Sequence, residues 1–244
     1  QKPKDFSVHE FSQLHITGYN AIPNMFALIT GKQYHSMAEF FLFRNHAQRG
    51  TLPTFHRMLW DHLKLNGYIT TMGEDTIDSE IGKVYGLQGI PKSFDTYPAY
   101  HKISHIVQRY MNNTFLNDRS RCPCVGNQFM SELTMNWAER HLQVYSDLPN
   151  FIATQHSESA GGDQTMTLDL ALRNHLEWFV NSGRAKNTVV VVLSDRGLHS
   201  ADVFNMNTRT AIYEHENPVM FWMLPDRFVT EPFLSNVDKL TTLK

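Results

Sequence analysis

The chain has 244 residues, of which 41% are hydrophobic and 12% aromatic, enough apolar mass to fill the core of one large domain. Its 22 basic and 24 acidic residues leave a formal charge of -2 with no dense Lys/Arg block, so the electrostatic footprint of a nucleic-acid binder is absent. The longest apolar stretches, Val189 to Leu193 and Val219 to Leu224, are far shorter than the roughly 20 residues of a spanning helix, and no membrane span is expected.

The opening stretch, QKPKDFSVHEF, lacks the basic-then-apolar plan of a secretory leader, which fits a leader removed or lying upstream. IPNMFALITG predicts a short helix opened near Pro23 and Asn24 and closed by Gly31, with Met25, Leu28 and Ile29 inward. TLPTFHRMLWDHLKLNG repeats that design, with Thr51 as N-cap, Pro53 in the first turn, a face of Phe55, Leu59, His62 and Leu63, and Gly67 as terminator. YITTMGED then predicts a strand running into an acidic turn.

Between Ile90 and Asn117 the prolines and the Tyr/His-rich patch around a helical ISHIVQRYM predict an insertion against the sheet edge. Within it, Asn112 to Thr114 is a glycosylation acceptor sequence, which has meaning only in the secretory pathway. Cys122 and Cys124 are separated only by Pro123, so neither CxxC redox spacing nor a four-ligand zinc set is present.

FMSELTMNWAERHLQVYSDLP carries Leu133, Trp137, His141, Leu142 and Tyr145 at helical spacing and ends before Pro149. NFIATQH is the next strand. TMTLDLALRNHLEWFVNSG places Leu168, Leu172, Leu176 and Phe179 on one face and stops at Gly183. The run Val189 to Leu193 has no polar alternation, which predicts a central strand buried on both faces. VMFWMLP gives one more strand, cut by Pro225. Strand and helix alternate without a dividing linker, so the expectation is one α/β domain over residues 1–244, a mainly parallel central sheet with helices on both faces.

In such a sheet, ligands sit beyond the carboxyl ends of the strands. Three loops lie there: GED after the YITTM strand, HSESAGGD after NFIATQ, and SDRGLHS after the valine run. They supply Glu74, Asp75, His156, Glu158, Asp163, Asp195 and His199, the material of an oxygen/nitrogen metal site or of general acid/base work. Strand-end acids are equally ordinary helix N-caps, and for Glu74, Asp75 and Asp163 that structural role is the favoured one. Helical His56, His62, His141 and His175 are assigned to packing or surface, and Trp60, Trp137, Trp178 and Trp222 to the core.

The order of GYNAIPNMFALITG, CVGN before a long helix, the SDRG strand end, and ENPVMFWMLPDRF running to DKLTT resembles a metazoan extracellular family catalogued as domain of unknown function 229, over nearly the whole chain. That family belongs to the alkaline-phosphatase-like superfamily, with the sulfatases and nucleotide phosphodiesterases. The resemblance implies a hydrolase layout with two divalent ions, zinc or calcium, clamping a phosphate or sulfate ester. Carried over residue by residue, Asp195 matches the acid of an SDHG pattern and Glu158 the middle-loop acid, with His156 and His199 as further candidate ligands.

The departures fall on the chemistry. Ala21 stands where the nucleophile is expected and offers no oxygen, Gly161 and Gly162 stand where the middle loop should supply a histidine, and Arg196 replaces the SDHG histidine. A guanidinium neither deprotonates nor ligates a metal; beside Asp195 it would pair with that carboxylate or hold an anion. The chain also matches the pattern only after the family's first strand and before the last part of the domain. The resulting expectation is a degenerate, non-catalytic extracellular binding module without metal cofactors, its ligand an anionic small molecule or glycan. The alternatives are an active metal-dependent ester hydrolase with a non-standard ligand set, and an incomplete copy with an exposed sheet edge.

Overall fold

The computed structural model describes residues 5–33, 58–74, 94–96, 124–125, 127–156, 165–197 and 208–242. The elements in order are β1 (Phe6–Glu10), α1 (Ala21–Thr30), α2 (Leu59–Leu65), β2 (Ile69–Glu74), β3 (Cys124–Val125), β4 (Gln128–Phe129), α3 (Met130–Val144), β5 (Asn150–Gln155), α4 (Thr165–Asn181), β6 (Val190–Leu193), α5 (Arg209–Glu216), β7 (Met220–Pro225) and α6 (Glu231–Thr242). They form two compact units, the first of residues 1–24 and 176–244, the second of residues 25–175.

The first unit is built on a three-stranded sheet of order β1-β7-β6. Both outer strands run antiparallel to β7, with Val8 opposite Met223 and Val191 opposite Trp222. Met223 and Leu224 are buried, and the indole of Trp222 packs on Phe11 with ring centroids 5.3 Å apart. Among the described residues β7 holds the middle of this sheet and β6 borders it, and Val191 and Leu193, 42% and 40% exposed, alternate with more covered neighbours. A run of valines is apolar on both faces wherever it sits, so its composition does not report its place in the sheet.

The second unit contains the parallel pair. β2 lies beside β5 in the register Ile69↔Asn150 to Glu74↔Gln155, so strand directions over the described residues are mixed within an α/β fold. Thr70, Thr71 and Met72 are fully buried, and both threonine hydroxyls have hydrogen-bond partners. Asp95 accepts from Thr70 N at 3.0 Å and Thr70 Oγ1 at 2.9 Å, while Thr71 Oγ1 donates to the Thr96 carbonyl at 2.8 Å. Partial burial works against the charge on Asp95, but Lys64, 2.7 Å away, and the two Thr70 bonds outweigh it and hold the carboxyl below its usual range.

The helices follow the sequence with two differences: α1 starts at Ala21 and buries Phe26 and Ile29 in place of Met25 and Leu28, and the inner face of α2 is turned. α2 buries Trp60, whereas Leu59 and His62 are exposed, so its inner face is turned about one residue from the expected one. Its first turn is closed by Asp61, whose Oδ2 accepts from Met58 N at 3.1 Å; Thr51, Pro53 and Phe55 lie outside the described residues. α3 buries Met135, Ala138, His141 and Leu142, and a Cβ on Gly73 would press on Trp137 and Thr134, so the glycine is what lets α3 lie close to β2. α4 ends where expected, with Gly183 in the left-handed region at φ 76°. The 90–117 stretch is outside the described residues except Phe94 to Thr96. No described helix is long and apolar enough to cross a membrane.

Candidate functional site

The strand end that carries Asp195 is built by exchange with the start of β7. Ser194 N donates to the Val219 carbonyl and Val219 N donates to Ser194 Oγ, both at 2.9 Å, so the serine hydroxyl takes the place of the next rung of the ladder. Asp195 and Arg196 follow, and the guanidinium turns back on its neighbour: Arg196 Nε lies 3.6 Å from Asp195 Oδ2, and Nη1 donates to the Gly197 carbonyl at 3.3 Å. Both side chains are largely covered, 19% and 25% exposed, which separates this pair from an ordinary surface ion pair.

Gly197 is held against α5. Its N donates to the His215 carbonyl at 3.0 Å, and a Cβ at this position would overlap the Glu214 carbonyl. His215, almost fully buried, donates from Nε2 to the Tyr19 carbonyl at 3.2 Å and packs on the Tyr19 ring at 4.8 Å. One helix end therefore fixes two loops, the SDRG turn and the turn ahead of α1.

That second turn explains GYNAIPN. Asn24, buried, accepts through Oδ1 from Thr17 N, Gly18 N and Thr17 Oγ1 at 2.8, 2.9 and 3.1 Å, and donates from Nδ2 to the Gly18 carbonyl at 2.8 Å. The Pro23 ring lies so close to Gly18 that any side chain there would collide with it. Ala21, at the expected nucleophile position, is the buried first residue of α1. The nearby threonine hydroxyls are bound into the backbone, Thr17 to the Pro23 carbonyl at 3.2 Å and Thr30 to the Phe26 carbonyl at 2.7 Å. Neither is presented as a substitute nucleophile.

Replacing Asn24 by Ala removes one donor and one threefold acceptor from a covered site, and we expect it to cost about 2–3 kcal/mol. Urea unfolding measures this. A loss below about 0.5 kcal/mol would show that the clasp adds nothing beyond what water supplies.

In the second unit, Glu74 is the buried last residue of β2, in register with Gln155. His156 directly follows β5; its Nε2 hydrogen-bonds Thr154 Oγ1 at 3.2 Å. Burial first, and the neighbouring His175 second, bring its pKa down to about 4, so the ring is neutral at pH 7. His175 donates from Nδ1 to Glu139 Oε1 at 2.8 Å. His141 is also depressed, by burial, with the Asn150 side chain opposing. Of the remaining candidates, Asp75, Glu158, Asp163 and His199 lie outside the described residues.

The donor chemistry at the strand end does not suit a divalent ion. Asp195 already has a cation against it, and a guanidinium in that place repels a second one. Among the described residues no three His, Cys, Asp or Glu side chains are grouped to hold a metal.

The sequence profile described as protein of unknown function (DUF229) matches residues 4–242. The chain belongs to the DUF229 family. No curated protein matches this DUF229 chain. Among solved structures it is similar to the lipoteichoic acid synthase LtaP from Listeria monocytogenes, with a TM-score of 0.56 at 12% identity over 90% of this chain and 57% of that one. It is also similar to Ps i-CgsB, with a TM-score of 0.52 at 15% identity over 92% of this chain and 62% of that one. Ps i-CgsB in complex with k-i-k-neocarrahexaose gives 0.52 at 15% over 90% and 58%. The fold is thus the alkaline-phosphatase-like one, and the DUF229 chain spans less than two thirds of each of these neighbours.

Proposed function

We propose that this DUF229 protein has the alkaline-phosphatase-like fold without the metal-dependent ester hydrolysis of that superfamily, and acts in the extracellular space or secretory pathway as a binding module. The observation that carries this reading is the covered Asp195–Arg196 pair, 3.6 Å apart, at the strand end where the superfamily pattern has an acid and a histidine. An arginine there supplies permanently the positive charge that a metal would supply, but offers no lone pair, no Lewis acidity and no way to activate water. The buried methyl of Ala21 at the nucleophile position points the same way.

The ligand class that fits is an anionic small molecule or glycan. Support comes from the guanidinium at the strand end, whose forked N–H donors match phosphate or sulfate oxygens, and from the neighbour solved with k-i-k-neocarrahexaose. The Asn112 to Thr114 acceptor sequence supports the compartment. Assay of p-nitrophenyl phosphate and p-nitrophenyl sulfate with added zinc, calcium or manganese is expected to show no turnover above the metal-only blank. Loss of the two contributions removes many powers of ten in rate, since nucleophile activation and Lewis-acid stabilisation each supply several kcal/mol. Saturable hydrolysis that a chelator abolishes would refute the proposal.

A further inference from the structure

Helices α2 and α5 end in the same way. Asn66 caps α2 and donates from Nδ2 to the His62 carbonyl at 2.8 Å, while Asn217 caps α5 and donates from Nδ2 to the Tyr213 carbonyl at 2.7 Å. Each amide satisfies a carbonyl that its helix leaves without an internal partner. The next residue differs: Gly67 follows Asn66, Pro218 follows Asn217, and no other asparagine in the chain precedes a glycine. That difference decides the covalent chemistry open to each side chain. An asparagine can close a ring only on the main-chain N–H that follows it, which proline lacks and glycine presents with no Cβ in the way.

Residues 64–68 are all exposed, and nothing lies within 4 Å of a Cβ at Gly67, so water and base reach the pair. The cap itself holds the reaction back: ψ of 15° at Asn66 turns Gly67 N away from the side-chain carbon, and that N donates to the Lys64 carbonyl at 3.0 Å. An exposed last turn of a short helix opens at little cost, and the opened turn is the reactive state. We infer that Asn66 is a covalent modification site, its side chain closing on Gly67 N to a succinimide whenever the end of α2 opens. Gly67 N–H gives its proton to solvent base, the nitrogen bonds to Asn66 Cγ, and the Cγ–Nδ2 bond breaks to release ammonia. Water then opens either side of the ring and leaves aspartate or iso-aspartate. Both products undo the cap, because a carboxylate cannot donate to the His62 carbonyl and sets a negative charge at the negative end of α2. Iso-aspartate also inserts a side-chain carbon into the main chain, ahead of the bonds that lead into β2, Tyr68 N to the Leu63 carbonyl at 3.1 Å and Ile69 N to the Pro149 carbonyl at 2.9 Å. This site is separate from the Asp195 strand end and does not depend on the reading given for it.

The test is peptide mapping by mass spectrometry of the whole chain aged in mild alkali at body temperature, with a urea-unfolded aliquot alongside. The expected result is amide-to-acid conversion at Asn66, divided between aspartate and iso-aspartate peptides, with Asn217 unchanged. Conversion should be about tenfold or more faster in urea, where the cap is absent. Gly67→Ala, compared in urea so that strain in the cap plays no part, should slow it about tenfold, since the methyl shields the attacking nitrogen. The iso-aspartate form, separated by ion exchange, should unfold a few degrees lower than the parent, and Asn66→Asp, which changes charge alone, by less than that. An unconverted Asn66 in folded protein whose unfolded aliquot converts, equal conversion at Asn217, equal rates with and without urea, no slowing in Gly67→Ala, or an iso-aspartate form that keeps the parent's midpoint would each overturn the proposal.

Discussion

Gly197→Ala is expected to destabilise the protein by about 3 kcal/mol, because its Cβ would overlap a backbone carbonyl, that of Glu214, which no rotamer change can move aside. The consequence reaches the candidate site. Gly197 N is bonded to the His215 carbonyl, and the residue follows Arg196 directly, so displacing it shifts the Asp195–Arg196 pair away from α5. Gly183→Ala is the control: nothing lies within 4 Å of a Cβ there, and only its φ of 76° opposes a side chain, costing about 1 kcal/mol. Denaturant unfolding of both variants checks the contrast. Equal, small losses would mean that α5 yields easily and that the SDRG turn is not clamped.

Much of this part of the molecule was legible in the chain, and the rest was hidden for physical reasons. The SDRG turn was found because a β-branched run ending in polar residues marks a strand end, and the charge of Arg196 beside Asp195 follows from residue type alone. The place of β6 was not. A valine run carries no alternation to show which side is covered, and β7, later in the chain, takes the middle of the sheet among the described residues. The face of α2 is not legible in the chain because Leu59 and Leu63 fit the helical period as well as Trp60 does, and only packing decides between them.

Asn24 illustrates a second kind of blindness. The sequence places it at the opening of the helix, whereas α1 begins at Ala21 and the amide instead holds the Thr17–Gly18 turn from within the first turn of the helix. The signal was present in GYNAIPN, a glycine five residues before a proline, but it is three-dimensional: the glycine is needed because the proline ring lies on it. The His175–Glu139 pair joins residues 36 positions apart and had no local signature at all.

Stability is expected to decline as the pH falls below about 6.5, before most carboxylates titrate. His156 has its pKa lowered from 6.5 to about 4, chiefly by burial, so the folded chain resists a proton that the unfolded chain accepts. The sign follows from linkage: stability from this group is full above about pH 6.5, is lost as pH falls towards about 4, and then levels off. At about 1.4 kcal/mol per pH unit the loss amounts to roughly 3 kcal/mol. His141, also lowered by burial, adds in the same direction. Asp95, held below its usual 3.8, extends the decline to lower pH. Urea unfolding from pH 7.5 to 4.5 measures the slope, and His156→Gln should flatten most of it. A slope unchanged in that variant would mean that His156 does not remain enclosed and neutral in the folded chain.

In the function proposed above, Arg196, paired with Asp195, stands in place of a metal-binding group. The most direct measurement is the content of zinc, calcium and manganese per chain by elemental mass spectrometry, on protein purified without chelator and then offered each ion. A cooperatively folded sample that retains none of the three is the predicted result. About two tightly held ions per chain would contradict it and restore a two-metal ester hydrolase as the reading of this fold.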